Sequence, residues 1–188
     1  KIDCGKVEIT NMQPNLREQM LMQGQVDGVF GYVTTIRFSA KLMGVDPEKQ
    51  LRWINYGDYG MDLYSNAIIV SKKLIKENPA AVKKFLSAFA KGAKEVIANP
   101  AVAIESVKAR DGIIDSKLET RRLQLAIDTV INSADARAEG FGAVNAGRMS
   151  LMASQVSDAF NTKTRVSPDA VWTAALLPPA AELNILKK

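Results

Sequence analysis

Tyrosine, threonine, acidic and amide residues form two groups along the chain that could contact a small polar molecule. The first group lies within residues 11–35 and the second within residues 56–66. Aromatic rings supply apolar walls for a ligand, and hydroxyl, amide and carboxylate groups supply the hydrogen bonds that orient it. These residue types predict binding without bond chemistry. We select nine candidate contacts, none of them catalytic: Gln13, Tyr32, Thr34, Thr35, Asp58, Tyr59, Asp62, Tyr64 and Asn66.

Structural roles compete with ligand contact at several of these positions. An aspartate at the position of Asp58 is more often a turn residue that hydrogen-bonds to nearby backbone. Tyr59 and Tyr64 are equally compatible with packing and with ligand contact. If they do reach a ligand, Asp58 and Asp62 would accept hydrogen bonds from an amino or pyrimidine-like donor. We expect Tyr32 and Tyr59 to contribute most.

Residue types that the common catalytic mechanisms require are missing. The chain of 188 residues contains no histidine and one cysteine, Cys4. The missing histidine removes the commonest general base and metal ligand, together with Ser-His and Cys-His nucleophilic systems. No paired-cysteine zinc spacing, phosphate-binding glycine loop or dinucleotide fingerprint occurs in the sequence. We therefore expect no catalytic residue set, no metal site and no cofactor.

The charge pattern argues against a nucleic-acid partner. The formal net charge is +5, but the basic residues are mixed with acidic ones, as at Lys76 and Glu77 or at Arg122 and Glu119. Binding to a polyanion needs clustered positive charge that displaces counterions, and no stripe of basic residues with interleaved aromatics is present. A solvated surface is the simpler interpretation. No apolar run is long enough to span a bilayer.

Short apolar runs alternate with amphipathic segments at the start of the chain. The predicted order is strand, helix, strand, helix, strand, over residues 7–11, 15–23, 26–32, 33–43 and 51–56. Gly24 and Gly44 follow the two predicted helices at the position where a left-handed residue commonly ends a helix. This alternation predicts a largely parallel sheet covered by helices on both faces, which is the start of a three-layer α/β lobe.

The pattern changes after residue 56. Residues 57–66 are rich in glycine, aromatic and acidic residues and predict a crossing segment, and residues 67–70 read as one more strand. The remainder is mostly helical, and Asn78 and Pro79 open a long amphipathic helix. Further helices are predicted over residues 101–110, 116–131 and 146–160, the second of them with Ser116 as its N-cap.

Three motifs, in this order and separation, resemble a known family. They are residues 23–28 (QGQVDG), residues 56–60 (YGDYG) and residues 78–88 (NPAAVKKFLSA). The chain is similar to the NMT1/THI5-like solute-binding proteins of importers for nitrate, sulfonates, taurine and thiamine-pyrimidine precursors. The likeness extends from about the first predicted strand to the final helices.

This resemblance implies a fold, a function and a location. The fold would be α/β and like that of type 2 periplasmic binding proteins, in which two lobes close over a ligand. Residues 1–56 would be a truncated second lobe, residues 57–66 the hinge crossing, and residues 67–188 a return strand and helices that pack on the first lobe. The chain would be the C-terminal part of a periplasmic receptor, monomeric at full length. It would bind a small organic molecule or oxyanion and deliver it to an ABC permease.

Three other functions remain alternatives. Pyrimidine synthases share this fold, but their chemistry depends on histidine and a cysteine-rich iron site. The effector-binding module of a transcription regulator would have the same two-lobe architecture, with DNA-binding helices upstream. A helical interaction domain would bind an acidic partner and no metabolite, so no metabolite would raise its melting temperature.

Overall fold

The computed structural model describes residues 3–186, apart from the side chain of Cys4. The helices in this range are α1 (Arg17–Met22), α2 (Val33–Leu42), α3 (Pro47–Gln50), α4 (Lys72–Glu77), α5 (Pro79–Ala98), α6 (Pro100–Lys108), α7 (Ser116–Ala126), α8 (Ala134–Glu139), α9 (Ala146–Ala159), α10 (Pro168–Val171) and α11 (Ala180–Leu183). The chain divides into two compact units, unit 1 (Lys1–Arg52) and unit 2 (Trp53–Lys188).

The predicted α/β class is wrong, because residues 3–186 contain helices, turns and extended segments but no β-strand. The runs at residues 7–11, 26–32, 51–56 and 67–70 were predicted as strands, and none of them is one. A strand exists only where a second segment accepts and donates its backbone hydrogen bonds, and short apolar runs do not specify that partner. Their apolar side chains are correspondingly exposed, by 70% at Phe30 and by 92% at Ile69.

Unit 1 is built around α2, whose buried residues are Ile36, Phe38 and Ala40. Helices α1 and α3 both contact α2. Pro47 begins α3 and is fully buried, while the Asp46 side chain caps that helix by accepting a hydrogen bond from the backbone N–H of the second residue after it. The positive φ predicted after α1 and α2 is confirmed at Gly24 (68°) and at Gly44 (76°).

Unit 2 is organised along α5, the 20-residue helix that the sequence predicted. Pro79 is its first residue, and the Asn78 side chain accepts a hydrogen bond from Ala81 N at 3.1 Å, which satisfies one of the unpaired amides of the first turn. Helix α5 contacts α4, α6 and α11. Among the described residues, the buried apolar side chains of unit 2 are Val82, Ala90, Ile104, Ile127, Met149, Leu183 and Ile185.

The N-cap of α7 lies one residue before the predicted one. Asp115, and not Ser116, is the N-cap, and its carboxylate accepts a hydrogen bond from Leu118 N at 2.9 Å. The helix continues into a π-helical segment, Ile127–Ile131, where Asn132 N donates to Ile127 O at 2.8 Å.

Gly140 marks the place where the chain after α8 meets α11. Its φ of +99° and ψ of 163° are accessible only to glycine, and a Cβ there would lie 2.9 Å from Leu183 Cβ. The next residue, Phe141, donates its backbone N–H to Leu183 O at 2.8 Å. The C-terminal helix is therefore fixed to the body of unit 2. Each helix within residues 3–186 is too short or too polar to cross a lipid bilayer.

Candidate functional site

The predicted contacts in unit 1 lie at two helical starts. Gln13 is exposed and precedes the 3₁₀ turn Pro14–Leu16, and its carbonyl accepts a hydrogen bond from Leu16 N at 3.0 Å. Tyr32 is the N-cap residue of α2, and its carbonyl accepts from the amides of Thr35 and Ile36, both at 3.0 Å.

The start of α2 combines a mostly exposed phenol at Tyr32 with the hydroxyl groups of its first turn. Thr34 is half-buried and Thr35 is exposed. The first amides of a helix have no partner within the helix and point toward its N-terminus, where they favour acceptors and negative charge. These groups together can hydrogen-bond a polar ligand.

Arg17 fixes the backbone that leads into Tyr32, and sequence reasoning missed it. Its Nη1 donates to Phe30 O at 2.6 Å, and its Nε lies 3.6 Å from the buried carboxylate of Glu18. A Cβ at Gly31 would lie 2.8 Å from Ile36 Cδ1 and 3.0 Å from Arg17 Nη1. A side chain at that position would require the end of the Ile36 side chain to shift.

In unit 2, the segment of residues 56–66 starts with an exposed aromatic turn. Tyr56–Tyr59 forms a single 3₁₀ turn that Gly60 ends in the left-handed conformation, with φ +83°. The Asn55 side-chain amide donates to Asp58 Oδ2 at 3.1 Å, so this carboxylate takes part in the turn. Tyr59 is 69% exposed. The turn therefore presents a tyrosine to solvent beside an acidic group.

Arg148 binds the next residues of this segment from the first turn of α9. Its Nε and Nη2 donate to the carbonyls of Asp62 at 3.0 Å and Leu63 at 3.1 Å. Its Nη2 also lies 2.9 Å from Asp62 Oδ1, and its Nη1 lies 3.0 Å from Asp135 Oδ2. The planar guanidinium thus joins two backbone carbonyls and two carboxylates, a geometry that lysine could not provide.

Tyr64 completes this cluster. Its hydroxyl donates to Asp135 Oδ2 at 3.2 Å and accepts from Asn145 N at 2.9 Å. The Arg148 guanidinium carbon lies 4.1 Å from the centre of the Tyr64 ring, within the range of a cation–π contact. Tyr64 and Asp62 are therefore engaged within the protein. We call Asp62, Leu63, Tyr64, Asp135 and Arg148 the Arg148 clamp.

Two helix N-caps position the clamp residues Arg148 and Asp135. Asn145 caps α9 by accepting from Arg148 N at 3.0 Å, and Ser133 caps α8 by accepting from Ala136 N at 3.1 Å. The two caps fix the first helical turns that carry Arg148 and Asp135. Asn66 lies beyond the clamp, exposed and outside regular secondary structure.

Sequence reasoning identified Asp62 and Tyr64 but missed Arg148, Asp135 and Gln155. Arg148 lies 86 positions from Asp62 in the chain, and Gln155 donates to Gly60 O at 2.9 Å across 95 positions. No spacing rule connects residues so far apart. The N-cap pattern before α9 predicts a helix start, but it does not show what the third residue of that helix contacts.

A groove in unit 2 lies away from the predicted contacts. Within residues 3–186, no group of three or more histidine, cysteine, aspartate or glutamate side chains is arranged to hold a metal ion. A groove of about 420 Å³ lies between α5 and α11, and the residues that line it are Ser87, Ala88, Lys91, Lys94, Ala181 and Glu182.

Comparison with known proteins gives one match. A family model described as NMT1/THI5 like matches residues 1–103, which is more than half of the chain. Neither the curated proteins nor the solved structures contain a match. The matched range includes all nine predicted contacts, whereas Arg148 and Asp135 lie outside it.

Proposed function

The chain belongs to the NMT1/THI5-like family, and from this membership we propose that it is the substrate-binding component of an ABC-type importer. The family consists mostly of solute-binding proteins, so a solute-binding role in this general sense follows from membership. The proposal adds the importer and the ligand class, a small organic molecule or oxyanion. Binding proceeds through hydrogen bonds and aromatic contact, without bond chemistry.

One observation carries this proposal in unit 2: a solvent-exposed tyrosine turn is joined to a backbone held in place by the Arg148 clamp. Tyr59 is 69% exposed, while the carbonyls of Asp62 and Leu63 are fixed by the guanidinium of Arg148. A contact surface whose backbone is already ordered loses less conformational entropy when a ligand binds. This arrangement favours recognition over a purely structural role for the turn.

The receptor role has further components. In this proposal residues 57–66 form the hinge crossing between residues 1–56 and residues 67–188. Because Arg148 holds residues 62 and 63, the changes of backbone dihedral angle fall on residues 57–61. The receptor is periplasmic, acts as a monomer at full length and presents its ligand to a membrane permease.

An enzymatic role is the alternative within the same family, since THI5 itself is a thiamine-pyrimidine synthase. Synthase chemistry of this kind depends on histidine and on a cysteine-rich iron site, and this chain has no histidine and a single cysteine. These residue types do not fit an iron site of that composition. We therefore propose a protein that binds its ligand without turning it over.

A metabolite thermal-shift screen tests the proposal. The panel contains pyrimidines, sulfonates, nitrate and aromatic carboxylates, and each hit is incubated and checked by chromatography for conversion. A ligand present at 100 times its Kd stabilises the folded protein by about 2.7 kcal/mol, which gives a clear rise in Tm. A panel with no hit, or a hit that is chemically converted, contradicts the proposal.

Substitution of Tyr59 connects the hit to the site. Tyr59→Ala removes the exposed ring of the turn and is expected to weaken binding of the hit about tenfold. Phe160→Ala is the matched control, because Phe160 is also an exposed aromatic residue of unit 2, 78% accessible, but follows α9. If the two variants weaken binding equally, the assignment of the turn as a ligand contact is wrong.

A further inference from the structure

The groove between α5 and α11 contains none of the nine predicted contacts, yet its residues have the chemistry of an anion site. Ser87, Lys91 and Lys94 form one wall from α5, and Ala181 and Glu182 form the other from α11. We propose that this groove binds a small monocarboxylate with an apolar body. The groove is separate from the turn at residues 56–66, so this proposal can be tested independently of the importer role.

The α5 wall concentrates donors on one helical face. Ser87, Lys91 and Lys94 are related by steps of four and three residues, which places their side chains side by side along the helix. Both lysines are exposed, and within residues 3–186 neither forms a salt bridge. Like charges three residues apart repel each other, and an anion bound between them relieves that repulsion. The Ser87 hydroxyl adds a neutral donor to the same face.

The α11 wall is held by tertiary contacts. Leu183, the last residue of α11, is buried, and its carbonyl accepts the hydrogen bond from Phe141 N at 2.8 Å. Its Cβ packs where a side chain at Gly140 would otherwise stand. The position of Ala181 and Glu182 relative to α5 is therefore set by the body of unit 2, and the groove exists before any ligand arrives.

Charge and size select the class of ligand. Two ammonium groups and the single carboxylate of Glu182 leave the groove with one net positive charge, which a monoanion neutralises, whereas a dianion would place a second, uncompensated negative charge beside Glu182. Methyl groups from Ala88 and Ala181 contribute apolar surface for the body of the ligand. A volume of about 420 Å³ lies in the range of small-molecule sites.

Benzoate is a suitable probe, and amide chemical shifts of the ¹⁵N-labelled protein report where it binds. We expect saturable shifts at residues 87–94 and 180–183, with a Kd of about millimolar order, because solvent-exposed ammonium contacts are individually weak. Benzyl alcohol lacks the charge and acetate lacks the ring, so both should bind more weakly than benzoate. Equal binding of benzyl alcohol, or benzoate shifts that omit the groove residues, overturns the proposal.

Paired lysine substitutions separate the groove from general surface charge. Lys91→Ala combined with Lys94→Ala is expected to weaken benzoate binding by about tenfold or more. Lys83→Ala combined with Lys84→Ala removes the same charge from two exposed lysines of α5 that do not line the groove, and should change binding less than about twofold. Equal weakening in both double variants would show nonspecific charge attraction and overturn the site. The same titration also reports the amides of residues 56–66: benzoate shifts confined to residues 87–94 and 180–183 assign binding to the groove, whatever the outcome of the importer screen.

Discussion

Replacing Arg148 by glutamine tests whether the Arg148 clamp holds residues 62–64 against α8 and α9. The substitution keeps a polar side chain of moderate length but removes the positive charge and the planar set of five donors. It breaks the ion pairs with Asp62 and Asp135 and the hydrogen bonds to the carbonyls of Asp62 and Leu63. It also removes the cation over the Tyr64 ring.

The magnitude follows from the exposure of each partner. Hydrogen bonds from a charged donor contribute roughly 1.5–3 kcal/mol each when shielded from water, and Arg148 is 23% exposed. The pair with Asp62, whose side chain is 62% exposed, adds at most about 1 kcal/mol, and the pair with Asp135, 31% exposed, adds somewhat more. Because glutamine and water replace part of these interactions, we expect Arg148→Gln to lower the free energy of unfolding by about 3 kcal/mol.

Urea unfolding followed by tryptophan fluorescence measures this change. Both tryptophans of the protein, Trp53 and Trp172, belong to unit 2, so their emission reports on the unit that contains the clamp. With an m-value of about 2 kcal/mol/M, the midpoint should fall by about 1.5 M. Arg165→Gln is the matched control, because Arg165 pairs with Asp158 at 2.6 Å with both side chains mostly exposed, and its loss should cost less than about 1 kcal/mol.

An equal midpoint shift for Arg148→Gln and Arg165→Gln would refute the clamp as a stabilising contact. A double-mutant cycle sharpens the test by combining Arg148→Gln with Asp135→Asn. Residues in one hydrogen-bond network show coupling of about 0.5–3 kcal/mol, whereas independent residues add within a few tenths. Additive effects of these two substitutions would mean that the contact between Arg148 and Asp135 carries no energy of its own.

Glycine and capping substitutions give three further predictions. Gly140→Ala should lower the free energy of unfolding of unit 2 by about 2–3 kcal/mol, because the backbone conformation of Gly140 and the nearby Leu183 Cβ both exclude a side chain. Gly92→Ala is the control: Gly92 lies in open space within α5, so this substitution should raise the free energy of unfolding by about 0.5–1 kcal/mol. In urea titrations the two substitutions should shift the unfolding midpoint in opposite directions. An unchanged midpoint for Gly140→Ala would contradict the inference that a side chain strains this position. Gly31→Ala should speed amide hydrogen exchange in α2, since a Cβ would meet a buried core side chain at 2.8 Å; unchanged exchange would mean that the contact relaxes without cost. Asn78→Ala should cost about 1 kcal/mol through loss of the α5 cap, and a change within experimental error would show that the cap is dispensable.

Features that depend on neighbouring residues could be predicted from the sequence. The cap and first residue of α5 at Asn78 and Pro79, and the left-handed glycines Gly24 and Gly44, are confirmed. Each involves hydrogen bonds or dihedral angles within one helical turn, so the residues that decide them lie within a few positions. The predicted N-cap at Ser116 was wrong by one residue, because the adjacent Asp115 supplies a competing acceptor to the same turn.

Features that depend on distant residues could not be predicted. The strand patterns failed because an apolar run such as residues 26–32 reads the same whether or not a partner segment pairs with it. The candidate site was predicted in part: its exposed aromatic turn has a local signature, but its anchor, Arg148, is one of many basic residues in the sequence and lies 86 positions from Asp62.

The amino-acid sequence by itself therefore determined the family of this protein, the ends of its principal helices and the absence of histidine chemistry. The tertiary structure alone decided that Asp62 and Tyr64 are held by Arg148, that Gly140 must lack a side chain, and that two lysines of α5 face a groove closed by α11. The physical reason is the sequence separation between interacting residues. The hydrogen bonds of caps and turns form within about one helical turn, whereas ion pairs, close backbone contacts and grooves join residues that only folding brings together.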